Sequence, residues 1–303
     1  MRKFVLFTFL TLFSVVNAEA QTPPRDSTAL YKKRKTIVAV GASTFYVASV
    51  SWLYTAWYQG YPLTGFHWKS DVGEWLGMDK LSHFHNSYQN GNYGYWMLRW
   101  AGVNRKKAIW FGGSWGLIYA TTIEFFDGLS AEWGASYADI IANTTGAAFF
   151  ISQQLLWNEQ RIRSKFSYHP TGFPQYRPDL LGENALENLL KDYNGHTYWL
   201  SVNIHSFLPA RSKFPAWINI AAGYGATGMI GAYNNPPEYE GEPLPHFDRT
   251  QQFYLSADID WTKIKTGSNV LRFVFKLFSF VKLPFPTLEY NNKDGFVFHP
   301  LYF

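Results

Sequence analysis

The sequence predicts an α+β protein, with a bundle of about four apolar helices followed by a mostly β region. Residues 36–59 contain no charged side chain, and further long, largely apolar segments follow at 105–127 and 137–157. Runs rich in β-branched and aromatic residues, which are typical of strands, occupy the second half of the chain. The segment QYRPDLLG, at 175–182, separates the two patterns and predicts a linker.

The N-terminal residues have the pattern of a secretory signal peptide, predicted over residues 1–20. Arg2 and Lys3 precede the apolar run FVLFTFLTLFSVV, and the Ala-Glu-Ala sequence at 18–20 fits a cleavage site. Residues 21–35 then predict a flexible leader that ends in the basic cluster KKRK. The signal predicts export to the cell envelope, with the outer membrane or a periplasm-facing membrane favoured over the cytoplasm.

A helical, membrane-associated domain is predicted over residues 36–160. A helix over 36–59 would reach about 36 Å at ~1.5 Å per residue, which is enough to cross a bilayer. Residues 79–101, between the first two apolar segments, predict a more polar helix that completes the bundle of about four. After cleavage the KKRK cluster would lie on the exported side, unlike in most inner-membrane proteins. We therefore expect the bundle to lie at or partly in a membrane and to face the periplasm.

The C-terminal region, residues 161–303, is predicted to be β-rich with short helices. Strand patterns occur at 196–208, 216–225, 252–261 and 295–303. A short helix should follow Asn184, because the spacing of Asn184 and Glu187 fits a capping box. Residues 268–283 predict an amphipathic helix with a basic edge, which suits a membrane surface or the groove of a partner protein.

Composition excludes several functional classes. The chain has no cysteine, which excludes thiol catalysis, thiolate metal sites and lipid attachment through a cysteine. Its net charge is only +5 and its basic residues are scattered apart from KKRK, so no nucleic-acid groove is predicted. Aromatic residues make up 19% of the chain and charged residues only 16%, which favours a boundary between water and lipid. Membrane lipid is the predicted partner, and a protein partner stays open.

The segment GMDKLSHFHNS, at 77–87, concentrates reactive side chains beside apolar helices. On a helix, Asp79 and His83 share one face, and Lys80 follows Asp79 directly. His83 is a candidate general base or metal ligand, and Lys80 could contact a lipid phosphate. In the alternative interpretation Asp79 only caps the helix, and His83 bonds to it within a core.

Two later helices add further acidic residues. Gly112, Gly116 and Ala120 recur every four residues, so Glu124 would project from a seam of small residues into a helix contact. A buried carboxylate needs a partner, and His83 or Lys80 is of the right type. Asp139 shares a face with Asn143 on the next helix. As alternatives, Glu124 could face solvent near the helix end, and Asp139 could belong to a cap with Ser136.

Together these residues predict one polar pocket. Its catalytic residues would be His83, Glu124 and Asp139. Its ligand-binding residues would be Asp79, Lys80, Asn143 and Asp127. One histidine with carboxylates suits a hard cation weakly and zinc only in part, so the pattern selects neither a metal nor a cofactor.

The motifs MDKLSHFHNSY and EFFDGLSAEWGASYADIIANTTG resemble those of an uncharacterised family described as predicted periplasmic lipoproteins, including the YfiM-like proteins. More loosely, Asp79-Lys80-x-x-His83, the acidic Glu124 at a helix end and Asp139-x-x-x-Asn143-x-x-Gly146 resemble the VanZ-like membrane proteins. The resemblance covers roughly residues 70–160, and the lipid-carrying cysteine is missing. It implies an envelope location and a shared polar site, without an established reaction.

Two functions fit these observations. In the first, the polar pocket binds or processes an envelope lipid or glycolipid at a membrane boundary. In the second, the protein is a structural or partner subunit of an outer-membrane or periplasmic assembly, and the polar residues only fix helix packing. The pattern does not choose between an enzyme and a binding protein, and it specifies no oligomeric state.

Overall fold

A computed structural model describes residues 27–55, 61–131 and 133–303, so the predicted signal peptide lies outside the described chain. The described residues combine helices with a C-terminal antiparallel sheet, which confirms the mixed fold class. The main helices are α1 Ser27–Leu53, α2 Met78–Trp100, α3 Trp115–Leu129, α4 Tyr137–Leu156, α5 Ala185–Lys191 and α6 Asn269–Leu277. The strands are β1 Trp68–Lys69, β2 Ala135–Ser136, β3 Ile162–Tyr168, β4 His196–Asn203, β5 Ile218–Thr227, β6 Glu238–Tyr239, β7 Glu242–Pro243, β8 Thr250–Ile259, β9 Phe285–Asn291 and β10 Gly295–Tyr302.

The chain forms two compact units, which we call the helical unit and the sheet unit. The helical unit contains the described part of residues 1–70 together with 86–158 and 265–277. The sheet unit contains residues 71–85, 159–264 and 278–303. Helix α2 therefore begins in the sheet unit and continues in the helical unit.

Only one helix of the described chain is long and apolar enough to cross a membrane, judged by length and composition. This is Ala29–Leu53 within α1, near the N-terminus. The predicted bundle of about four apolar helices is thus not confirmed. Helix α3 has 15 residues and is too short, while α2 and α4 are too polar. Helix α1 begins at Ser27, inside the segment predicted as a leader.

The small-residue seam brings α2 close to the segment before and within α3. A Cβ atom on Gly116 would clash with the backbone carbonyl of Ser87, and one on Gly112 would clash with the backbone at Gly94 and Tyr95. The predicted continuous helix over 105–127 is instead interrupted, because a π-helical turn occupies Ala108–Gly112 before α3 begins. The seam nevertheless lets the two backbones touch, as small residues allow.

The sheet unit is built on six antiparallel strands in the order β10-β9-β8-β5-β4-β3. The patterns at 196–208, 216–225, 252–261 and 295–303 correspond to β4, β5, β8 and β10, whereas β3 and β9 were not predicted. The amphipathic helix ends at Leu277 rather than 283. Beyond it, Phe280 and Lys282 bond through their backbones to Phe166 of β3, and this pairing ends the helical pattern.

The predicted linker is packed rather than free. Residues Pro178–Leu181 form a helical turn, and Leu181 is fully buried. It joins Trp75, Met78, Met229 and Ile230 in an apolar core. The short helix after this turn begins as predicted, with the Asn184 side chain accepting a hydrogen bond from the backbone N–H of Glu187.

The helix seam can be tested with Gly116→Ala. The added methyl group meets the backbone of Ser87, which cannot move aside without shifting α2, so we expect a loss of about 1–3 kcal/mol in the free energy of unfolding. Thermal melting of the full chain in detergent measures it. Gly41→Ala, in the interior of α1, is the control, because nothing lies within 4 Å of its new Cβ atom. Equal melting temperatures for the two variants would contradict the close approach.

Candidate functional site

The backbone before α2 is strained where the predicted motif begins. Trp75 and Leu76 have φ values of 50° and 53°, in the left-handed region that non-glycine residues rarely adopt, and Gly77 follows with φ 84°. The backbone N–H of Trp75 donates to Ala232, 2.7 Å away, and the indole is buried in the core. Such strain costs about 1–3 kcal/mol per residue and tends to occur at functional sites. Here it sets the start of α2 and the position of Asp79.

Asp79, Lys80 and His83 lie together in the sheet unit. The Lys80 ammonium lies 2.6 Å from Asp71 Oδ2 and 2.8 Å from Asp79 Oδ2. The other oxygen of Asp79 accepts a hydrogen bond of 2.9 Å from the Tyr193 hydroxyl, and His83 Nε2 lies 3.7 Å from it. The predicted proximity of these three residues is therefore observed.

The electrostatics of this cluster favour an ionised Asp79. Burial opposes ionisation, but the charges of His83 and Lys80, with hydrogen bonds from Lys80 and Tyr193, hold the pKa of Asp79 below its ordinary value. Burial, reinforced by the charge of Asp79, raises the pKa of the Tyr193 hydroxyl well above its ordinary value. Tyr193 is thus a neutral donor to a carboxylate.

Acidic groups outnumber basic ones in this cluster. Carboxylate oxygens of Asp71, Glu74 and Asp79 lie within 4.8 Å of one another, and the Lys80 ammonium contacts two of these side chains. A lipid phosphate at Lys80 would have to compete with both carboxylates. The cluster is better suited to hydrogen-bond donors, such as hydroxyl groups or a protonated amine.

The second histidine of the motif has a different environment. His85 is buried against the rings of Phe166 and Tyr198, and its Nδ1 lies 2.8 Å from Ser164 Oγ. Burial, with a contribution from the charge of His196, lowers the pKa of His85 to about 3. It is therefore a neutral core residue of the sheet unit.

The acids predicted on α3 and α4 lie in the helical unit, and both are buried. Glu124 Oε2 accepts a hydrogen bond of 3.0 Å from the backbone N–H of Ser136, the residue before α4. The Ser136 hydroxyl accepts one of 3.0 Å from the backbone N–H of Asp139. The predicted cap at Ser136 is observed, and it links Glu124 to the start of α4. Asp127 lies in the last turn of α3, and its carbonyl accepts hydrogen bonds from the backbone N–H groups of Ser130 and Gly134.

Asn143 lies one turn after Asp139 and is only 1% exposed. The Ser87 hydroxyl donates to its backbone carbonyl at 2.7 Å. Its side-chain oxygen and nitrogen bond to none of the described residues. The amide of Asn92 on α2 is in the same state. Leaving buried polar atoms without hydrogen bonds costs about 1–3 kcal/mol for each group, so these amides suit a polar ligand.

The structure thus groups the predicted residues by unit. Asp79, Lys80 and His83 contact one another in the sheet unit. In the helical unit, Glu124 and the start of α4 at Asp139 are both bonded to Ser136, and Asn143 lies one turn after Asp139. A single pocket with residues from both stays a prediction. Sequence reasoning missed Asp71, Glu74 and Tyr193. The two acids precede the motif closely enough to have been considered, whereas Tyr193 is 114 positions from Asp79 and gives no local signal.

Comparison with known proteins supports the family assignment for part of the chain. Residues 66–154 match the family described as predicted periplasmic lipoprotein (DUF2279). No curated protein and no solved structure matches the chain. The family description and the apolar helix Ala29–Leu53 fit export to the cell envelope and a periplasm-facing location, as predicted. The closer likeness to YfiM-like and VanZ-like proteins stays a prediction.

Asp79→Asn should lower stability in a pH-dependent way. Because the folded pKa of Asp79 lies below 3.8, its stabilisation is complete well above that pH and is lost as the pH falls through the folded pKa. We expect a loss of about 3 kcal/mol at neutral pH and a smaller difference from the wild-type protein in acid. Urea denaturation at several pH values measures it. Asp294→Asn, in the exposed β9–β10 turn, is the control, and a pH-independent difference would contradict the assignment.

Proposed function

We propose that this is a cell-envelope protein that binds the polar head group of an envelope lipid or glycolipid. The observation that carries the proposal is the buried Asn143 amide, which bonds to none of the described residues. An amide offers both donors and acceptors, which complement the hydroxyl groups of a sugar. The family match to periplasmic proteins supports the same cellular location.

The proposed ligand carries hydrogen-bond donors. Around Lys80, the three carboxylates of Asp71, Glu74 and Asp79 make the cluster acidic. Sugar hydroxyls or the ammonium of an ethanolamine head group suit such a site better than a bare phosphate. The candidate acid–base groups are His83 in the sheet unit and Glu124 and Asp139 in the helical unit, and the candidate ligand-binding groups are Asp79 and Lys80 in the former and Asp127 and Asn143 in the latter.

The alternative function, a structural or partner subunit, has its own support. Glu124 already bonds to the backbone at Ser136, and Lys80 is paired with Asp71 and Asp79. Such contacts can fix helix positions without any ligand. The two functions differ in the role of the Asn143 side-chain amide. In the first it bonds to the ligand, whereas a purely structural network gains nothing from an amide that makes no hydrogen bond.

Asn143→Ala separates the two functions. Alanine removes the unbonded amide without adding volume at this buried position, so we expect the melting temperature to change little, while lipid that co-purifies with the protein is lost. Mass spectrometry of lipid extracts from purified protein measures this, and distinguishes glycolipid from phosphatidylethanolamine. Thr145→Val, on an exposed position of α4, is the matched control. Unchanged lipid content together with a lower melting temperature would favour the structural function.

His83→Ala and His85→Ala form a second, internally matched test. His83 is partly exposed and lies at the acidic cluster, so its loss should change the melting temperature little and abolish complementation of a deletion strain. His85 is buried in the core, so its loss should cost about 2–4 kcal/mol. Normal complementation by a stable His83→Ala protein would remove His83 from the proposed site.

A further inference from the structure

The six-stranded sheet has one polar face that is buried, which we call the inner face. Lys165 on β3 and Asp258 on β8 form an ion pair of 2.7 Å with both side chains fully buried. On β9, Glu289 accepts hydrogen bonds of 2.8 Å from Gln252 and 2.7 Å from Asn291, and it lies 2.7 Å from His299. These charged and amide side chains of the sheet thus lie on its buried face.

The opposite face, which we call the outer face, is apolar and largely exposed, although Tyr224 is half-buried and its hydroxyl donates to the Leu76 carbonyl. Leu255 is 53% exposed, Leu288 40% and Phe296 73%. On β5, β8, β9 and β10 this face carries no charged side chain. Its residues are Ile218, Ile220, Ala222, Tyr224, Gln251, Phe253, Leu255, Ala257, Ile259, Pro286, Leu288, Tyr290, Phe296 and Phe298. Successive side chains of a strand point to opposite faces, so the polar inward residues and the apolar outward residues occupy alternate positions.

The strand register orders the outer face into rows. Tyr224, Phe253, Tyr290 and Phe296 are direct neighbours across four strands, and they form an aromatic row. Ring centroids of Tyr224 and Phe253 are 5.3 Å apart, and those of Tyr290 and Phe296 are 5.1 Å apart. The next row is Ala222, Leu255, Leu288 and Phe298, and aliphatic residues continue beyond it.

This arrangement is the reverse of that in a sheet surrounded by water. Antiparallel sheets in water bury their apolar face and expose their polar one. Large exposed apolar patches mark contact with another molecule or a membrane. An apolar band bordered by a row of aromatic side chains is the pattern of protein surfaces in lipid, where tyrosine places its ring in hydrocarbon and its hydroxyl at the head groups.

We propose that the outer face of the sheet lies against membrane lipid, with the aromatic row at the head-group level. From Phe253 to Ile259 the apolar band runs about 20 Å at ~3.4 Å per residue. Even at a tilt of ~45° it covers about half of a ~30 Å hydrocarbon core. A protein partner is less suited to this face, because protein interfaces carry about one hydrogen bond per 100–200 Å² and the rows behind the aromatic one offer no polar side chain.

This lipid-contact surface does not depend on the head-group site proposed above. Its residues all belong to the strands of the sheet unit, and none of them is a proposed ligand-binding or catalytic residue. The surface could exist with no ligand bound to the acidic residues, and the ligand could bind without it. The two proposals therefore stand or fall in separate experiments.

Single-cysteine labelling tests the surface, and the chain has no native cysteine to remove. Leu255→Cys and Leu288→Cys carry a nitroxide label on the outer face of the full chain. Lys293→Cys, in the turn between β9 and β10 and three residues past Tyr290, is the matched control. Each variant is reconstituted in vesicles of phosphatidylethanolamine and phosphatidylglycerol. Retained circular dichroism and melting temperature show that the variants fold.

The measurement is the collision rate of the label with oxygen, which concentrates in lipid, and with a water-soluble nickel chelate. We expect the ratio of oxygen to nickel collisions to be several times higher at positions 255 and 288 than at 293. Equal ratios at all three positions would mean that the outer face meets water. Low access for both reagents at 255 and 288 would mean that protein, such as a second copy, covers the face. Either result overturns the proposal.

Discussion

The buried ion pair between Lys165 and Asp258 determines how the sheet unit can meet its surroundings. The two residues lie on β3 and β8, which are separated by β4 and β5, so a flat sheet would place their strands about 14 Å apart at ~4.8 Å per strand. Their contact at 2.7 Å requires the sheet to curl around its polar face. The Tyr302 hydroxyl, which lies 2.7 Å from that of Tyr254 and 3.1 Å from Thr197 Oγ1, shows the same curvature from the other edge.

Burial of this pair is expensive, and its surroundings compensate for the cost. Burial lowers the pKa of Lys165, and the carboxylates of Asp258 and Asp260 act in the opposite direction. Lys165 also donates to the carbonyl of Ile259, and Ser201 donates to Asp258 at 2.6 Å. Removing one member would leave a charge without its partner, at a cost of about 3–5 kcal/mol. The pair therefore favours the arrangement in which Lys165 on β3 and Asp258 on β8, with every second residue of their strands, face inward.

In the helical unit, too, polar side chains are buried while large apolar side chains are exposed, but the buried contacts are between helices. Glu124, Asp139 and Asn143 are buried, whereas Ile118, Phe125 and Ile141 on the same helices are exposed. Small residues let two helices approach closely, and hydrogen bonds between buried groups then add to their packing. The glycines at 112 and 116 and the bond from Ser136 to Glu124 are contacts of this kind. Polar residues inside and small residues at the contacts are thus parts of one arrangement.

Local patterns made much of the fold predictable. The ends of α2 and α4 and the cap at Ser136 follow from side chains a few positions apart, and the alternation of polar and apolar residues marks β8. The break at Ala108–Gly112 and the burial of Leu181 depend on packing against distant residues, so no local signal reveals them. Strand β9 contains Pro286, which weakens a strand pattern, and β3 carries Arg163 and Lys165 on its buried face, where apolar residues are expected.

The candidate site shows the same division between local and distant information. The grouping of Asp79, Lys80 and His83 follows from helix geometry, but Tyr193 joins them only through the tertiary fold. Lys80 was predicted as a possible contact for a lipid phosphate. Asp71 and Asp79 instead hold its ammonium, and a nearby acid nine positions earlier could have indicated this.

Pairing of the buried polar groups separates structural residues from candidate functional ones. Glu289 receives hydrogen bonds from two amides and contacts His299, so its burial is explained within the sheet unit. The amides of Asn143 and Asn92 are equally buried and bond through their side chains to none of the described residues. Burying an amide without hydrogen bonds costs stability, so packing alone does not favour asparagine at either position. A head-group ligand of the kind proposed above would supply the hydrogen bonds that these two amides lack.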